Sequence, residues 1–276
     1  MIPRLWIYAA VYFLLQTSGS TDICAQILNE NDQALKGIDV EEHLGRHLPL
    51  ELTFTDENGK AVKLGDFFDG QHPVIMALAY YECPMLCTLV LNGIADGVKN
   101  MDRLSPGKDY RVLTISIDPQ ETWELAKEKQ KTYLAAAGEK MTPNDWTFCV
   151  GAEEDIRAVA DSLGFDYYYD AEQDDFAHPA VIYLLTPDGQ ISRYLYGIHY
   201  KAQDLRLGLL EASRGKIGTT IEKILLYCYH YDPDAKGYVV LAGNVMRVGG
   251  VLTLGLLSIL LSLLWWRDHR RKESRS

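Results

Sequence analysis

Residues 80–88 read Tyr-Tyr-Glu-Cys-Pro-Met-Leu-Cys-Thr, and no other stretch restricts the fold as strongly. An uncharged apolar run, 73–79, leads into it, and Leu89, Leu91, Ile94 and Val98 follow. A buried strand is therefore expected to hand over to a helix at two thiols four residues apart. Pro84 suits the first helical position, because its missing N–H is one that a helix start cannot use. Cys83 then falls near the cap, where unpaired amides and the positive end of the helix dipole favour a thiolate. Cys87 falls in the first turn, on the same face. Both sulfurs can point at one ligand or at each other. Three residues separate them, against the two of a thioredoxin-type redox pair. The spacing allows a disulfide, and equally offers two soft thiolates to a metal such as Cu(I).

The two ends of the chain suggest a compartment. Arg4 precedes the apolar residues 5–15 and the small and polar residues 17–21. Residues 1–25 are therefore expected to be a secretory signal with Ser20 or Ala25 as cleavage point, an uncleaved anchor being the alternative. Thr21-Asp22-Ile23 is not the context that lipid attachment at Cys24 would want. Residues 248–266 carry no charge over 19 positions and end on Trp265 and Trp266, which fits a transmembrane helix with interfacial aromatics. Residues 267–276 hold five Arg and Lys side chains, which places that tail in the cytoplasm and the body of the protein outside. In a bacterium the soluble domain would then be periplasmic, held to the inner membrane by a single C-terminal span. A net charge of −11 argues against nucleic acid as a partner. Five cysteines are too few for a disulfide scaffold, and their odd number leaves at least one unpaired or bound to something else.

Between the ends, residues 26–48 read as a lead-in, in which His43 and His47 would share a helix face. Residues 50–54 and 61–64 alternate around Asp56-Glu57-Asn58-Gly59 as a hairpin. Strands are expected at 73–80, 110–117, 146–150, 180–185 and 191–196, the last two joined by Pro187-Asp188-Gly189. Helices are expected at 88–101, 121–137, 153–163 and 202–212. Residues 167–169 add a short strand whose rings would pack on the sheet. This order predicts an α/β sandwich of thioredoxin type with a central mixed sheet, occupying 49–213. Cys149 lies in an apolar alternation and reads as core. Asp118 ends a strand ahead of Pro119, where it either presents a functional carboxylate or simply forms a turn. His178 precedes Pro179, which forces an extended conformation on it and allows a cis bond. From the sheet's edge it could reach the cysteine loop and complete a two-sulfur, one-nitrogen site suited to both copper oxidation states. In the linker, 214–247, Cys228 and His230 would face one side of a strand, as a second metal site or simply within an aromatic strand.

The segment Cys83-Pro84-Met85-Leu86-Cys87, the run Ser116-Ile117-Asp118-Pro119 with Glu121-Thr122 after it, and His178 ahead of Tyr183-Leu184-Leu185-Thr186-Pro187-Asp188-Gly189 resemble, in that order, the Sco/SenC family. The resemblance covers about 50–212. It implies a thioredoxin-like fold and one copper ion, Cu(I) or Cu(II), held by Cys83, Cys87 and His178. It implies a metallochaperone that helps assemble the binuclear copper centre of cytochrome c oxidase. The partners would be the copper-receiving oxidase subunit and other copper or thiol-redox proteins of the periplasm. Asp118 would match an acidic position beside the site. The chain departs from the family at Thr88, where many members have proline, and at Pro179, where Ser or Thr is common. Its anchor is C-terminal where an N-terminal one is usual, which suggests a subgroup. A thiol–disulfide reductase using Cys83 and Cys87 as a redox pair is the enzymatic alternative. A peroxidase is disfavoured because no arginine lies between Tyr80 and Arg103. A tethered interaction module with a permanent Cys83–Cys87 disulfide is the plainest reading.

Overall fold

The computed structural model of the chain describes residues 40–83, 86–170, 175–214, 229–232 and 237–240, together with helical positions within 246–260. The expected signal segment 1–25, the proposed helix start at Pro84, Cys228 and the tail 267–276 lie outside the described residues, as does the His230 side chain.

Seven strands form one mixed sheet in the order β2-β1-β5-β4-β3-β8-β9. They are β1 (Thr53–Asp56), β2 (Ala61–Lys63), β3 (Val74–Ala79), β4 (Arg111–Ser116), β5 (Trp146–Gly151), β8 (Val181–Leu185) and β9 (Ile191–Tyr196). The inner three, β3, β4 and β5, are parallel, as an apolar run covered on both faces demands. All six residues of β3 are buried. Antiparallel β8 closes against β3 on the other side, and the expected hairpin to β9 follows through Gly189 at φ +81°. Helices α1 (Leu86–Asn100), α2 (Trp123–Ala137), α3 (Glu153–Leu163) and α4 (Ala202–Ala212) lie within two residues of the expected bounds. In α1 the buried positions Cys87, Val90, Leu91, Ile94 and Val98 recur at helical spacing. Cys87 therefore opens the stripe by which the helix packs on the core.

Three local expectations are corrected. Residues 168–170 form β6 (Tyr168–Asp170), but it pairs with β7 (Asp175–Ala177) in a separate two-stranded sheet. Tyr168 and Tyr169 are 46% and 51% exposed and only Tyr167 is buried, because β6 stands in its own two-stranded sheet and not on the main one. His43 and His47 share no helix. His43 bonds to the Ser162 carbonyl and His47 pairs with Asp188, so tertiary contacts hold them apart. No cis peptide bond occurs among the described residues, so the His178–Pro179 bond is not the cis bond that the sequence allowed.

Two further strands, β10 (Tyr229–Asp232) and β11 (Gly237–Val240), form an antiparallel pair in the expected linker. Among the described residues no helix is long and apolar enough to cross a membrane. Most of the expected span is not described, but Val251, Leu254, Leu256, Leu257 and Leu260 are helical and exposed.

Close packing of α1 depends on Gly93, where a Cβ would collide with the Ile198 carbonyl ahead of α4. Substitution Gly93→Ala should destabilise the protein by about 1–3 kcal/mol through overpacking, read as a lowered denaturation midpoint. An unchanged midpoint would show that α1 has room to shift.

Candidate metal centre

Strand β3 meets its last parallel partner at Ala79, opposite Ser116, and pairs with β8 only as far as Ala77. Beyond that point the sheet offers its backbone no ladder, and buried amides need other acceptors. Tyr80 N–H donates to Cys87 Sγ (3.4 Å). The next two amides, of Tyr81 (2.6 Å) and Glu82 (2.8 Å), donate to one carboxylate oxygen of Glu121. Cys87 N–H in turn donates to Cys83 Sγ (3.3 Å). Both sulfurs are thus fixed by the backbone that connects β3 to α1. Thr88 donates its hydroxyl to the Cys83 carbonyl (3.1 Å).

His178 enters from the opposite side. It precedes β8, which runs antiparallel to β3, so the start of one strand and the end of the other share an edge of the sheet. The strand is interior, between β3 and β9, and the histidine ahead of it is buried. Nδ1–H donates to the Pro179 carbonyl (3.0 Å), which leaves the Nε2 lone pair facing Cys87 Sγ at 2.7 Å. Phe165 and Tyr80 flank the imidazole, Tyr80 edge-on, and the Tyr80 hydroxyl donates to Asp175 on β7. Strand β7, with Phe176 against Tyr80, thereby fixes the approach of His178.

Burial pushes the Cys87 thiol well above its usual range, and the neighbouring Cys83 and Glu121 add to the effect. Desolvation is the largest of these causes. The metal-free cysteine is a thiol that donates to Nε2. Cys149 is buried in the core, as expected.

The site therefore brings Cys83, Cys87 and His178 together, but as a hydrogen-bonded cluster. Among the described residues no three His, Cys, Asp or Glu side chains already surround a common point as ligands of one ion. A sulfur and a nitrogen on one tetrahedral ion stand roughly 3.5 Å apart at ordinary metal–ligand lengths. The 2.7 Å contact must therefore open before an ion can enter. Two sulfurs with an imidazole whose other nitrogen is already engaged are a donor set that fits a soft metal.

Asp118 is placed next to this cluster rather than in it. Its carboxylate accepts from Gln120 N–H (2.8 Å) in a turn, and it lines a cavity of about 570 Å³ with Tyr80, Glu82, Arg157 and Asp175. Glu121, three residues on, makes the direct contact with the cysteine loop. Sequence reasoning passed over it, because an acidic residue ahead of a helix usually marks only a helix start. Its second oxygen accepts from the Ser116 hydroxyl (2.5 Å). Burial raises its carboxyl to about 7, although the hydrogen bonds from Ser116, Glu82 and Tyr81 pull it back down.

A family model described as SCO1/SenC matches residues 40–206. The human mitochondrial protein SCO1 homolog is 26% identical over 182 residues, which are 63% of this chain and 54% of that protein. The chain thus spans about half the length of the curated relative it matches. A crystal structure of a protein from Aquifex aeolicus VF5 is 28% identical, covering 62% of this chain and 95% of that one, with a TM-score of 0.54. The structure of Arabidopsis thaliana ScoI with copper bound is 22% identical, covering 62% and 98%, with a TM-score of 0.48.

The raised Glu121 carboxyl sets the sign of a pH effect. The folded protein binds this proton more tightly than the unfolded chain, so the contribution is fully present below pH 4.5 and is lost as pH rises through about 7. Glu121→Gln should abolish that decline, worth about 2 kcal/mol for a half-buried group, in denaturation curves taken from pH 4.5 to 7.5. Parallel curves for both proteins would show that the carboxyl titrates normally.

Proposed function

The chain belongs to the SCO1/SenC family, and on that premise we propose that it is a copper-binding metallochaperone that helps assemble the binuclear copper centre of cytochrome c oxidase. The observation that carries the reading is the approach of His178 Nε2 to the Cys87 sulfur, with Cys83 held beside them by the Cys87 amide. Copper is the cargo. Cys83 and Cys87 take Cu(I) as thiolates, and His178 adds the nitrogen that Cu(II) favours. Loading displaces the Cys87 proton, so copper binding weakens as pH falls. Delivery proceeds by ligand exchange with cysteines of the oxidase subunit that receives the copper. Asp118, which lines the adjoining cavity, is the acidic side chain that meets that partner.

The protein works at the bacterial inner membrane, with the soluble domain in the periplasm and residues 248–266 as its single span. The exposed leucines of the helical segment within 246–260 support anchoring, since a soluble surface rarely leaves such a stripe to water. Thiol–disulfide reduction of a partner's copper-site cysteines is a second reading. It is favoured by the Cys87 amide's hydrogen bond to Cys83 Sγ, which holds the two cysteines close together.

The test is a titration of the reduced full chain in detergent with Cu(I) and Cu(II), beside Cys83→Ala and His178→Ala. A one-to-one complex is expected, with thiolate-to-Cu(II) charge-transfer absorption that is lost in both variants. A chain that binds no copper, yet exchanges a Cys83–Cys87 disulfide rapidly, would leave only the reductase.

A further inference from the structure

We propose that Glu121 is the positioning residue of the cysteine loop: anchored on Ser116, its carboxylate holds the Tyr81 and Glu82 amides and so fixes where Cys83 stands relative to Cys87 and His178. The inference rests on the ligand assignment proposed above and adds to it the group that sets the site's geometry.

The geometry leaves few other ways to hold the loop. Residues 80–82 continue the central strand past its last ladder partner, so their amides turn to groups outside the sheet. Tyr80 donates to a candidate ligand itself, the Cys87 sulfur. Tyr81 and Glu82 donate to a single oxygen, Oε1 of Glu121, and the peptide after Glu82 leads directly to Cys83. The other oxygen, Oε2, accepts from Ser116, whose own Oγ accepts from the Asp118 amide (3.1 Å). Ser116 is the residue paired with Ala79 in the β3–β4 ladder and is fully buried, so the anchor is rigid. The loop that follows β4 thereby clamps the loop that follows β3. Hydrogen bonds to a charged acceptor are roughly twice as strong as neutral ones, and outer-shell partners that orient ligands are commonly worth 10- to 100-fold in metal affinity. Asp118, the acidic candidate by its place at a strand end, spends its carboxylate on the Gln120 amide within its own turn.

The experiment uses the full chain in detergent, as wild type, Glu121→Ala, Glu121→Gln and Glu121→Asp. Three quantities are read: hydrogen exchange of the Tyr81 and Glu82 amides without metal, Cu(I) affinity against a chromophoric chelator, and the Cys83–Cys87 thiol–disulfide equilibrium against glutathione. Glu121→Ala should lose protection at both amides, weaken Cu(I) binding by about 10- to 100-fold and shift the glutathione equilibrium. Glutamine, which keeps an acceptor at the same reach, should restore most of each. Aspartate keeps the charge but is too short to span from the amides to Ser116, and should fall between; it carries the test if the alanine variant does not fold. Amides that stay protected in the alanine or aspartate variant would overturn the proposal. So would exposed amides with wild-type copper affinity and glutathione equilibrium. Failure of the copper reading is distinct: the wild type would bind no copper, while amide protection and the glutathione equilibrium would still decide whether Glu121 positions the loop.

Discussion

The structure depends on how the backbone is satisfied where β3 runs out of sheet. A central strand buried along its whole length has no water to fall back on, so the amides of the buried Tyr80 and Tyr81 just beyond the last ladder pair must find acceptors inside the protein. Here the acceptors are a cysteine sulfur and a buried carboxylate. The same bonds that complete the fold therefore place the two thiols. Stability and site geometry are not separable at this point of the chain, and the helix that follows inherits its starting position from them.

His178 is held by an independent set of contacts. The hairpin of β6 and β7 stands apart from the main sheet, yet it delivers Phe176 and Asp175 to Tyr80 immediately before the chain enters β8. Tyr80 touches both halves: its amide binds the Cys87 sulfur and its ring lies edge-on to the imidazole. With Nδ1 committed to the Pro179 carbonyl, the ring presents one defined nitrogen to the sulfur. An imidazole fixed in this way costs little further ordering when it takes a ligand.

The two acidic residues after β4 differ only in what surrounds them. Asp118 is satisfied within its own turn and faces a cavity, while Glu121 is drawn under the cysteine loop and loses solvent. Burial and hydrogen bonding oppose each other at Glu121, and burial prevails. Burial likewise raises the Cys87 thiol, and there the neighbouring Cys83 and Glu121 act in the same direction.

Periodicity and turn chemistry were enough to read the mixed sheet, the four helices and the β8–β9 hairpin, because apolar alternation and helical spacing record which faces are buried. The spacing of Cys83 and Cys87 across a strand-to-helix junction was legible for the same reason, and His178 drew notice through its proline and its place before a strand. What required the tertiary structure was every relation between segments distant in the chain. The separate hairpin that carries Asp175 and Phe176 has weak alternation over three residues, so it left no pattern to read. The acceptor role of Glu121 is invisible locally, since a glutamate before a helix looks the same whether it meets water or two amides forty residues upstream. Sequence records which residue types a site can use; only the packed fold decides which of them lose water and meet, and burial and hydrogen bonding at those contacts set their chemistry.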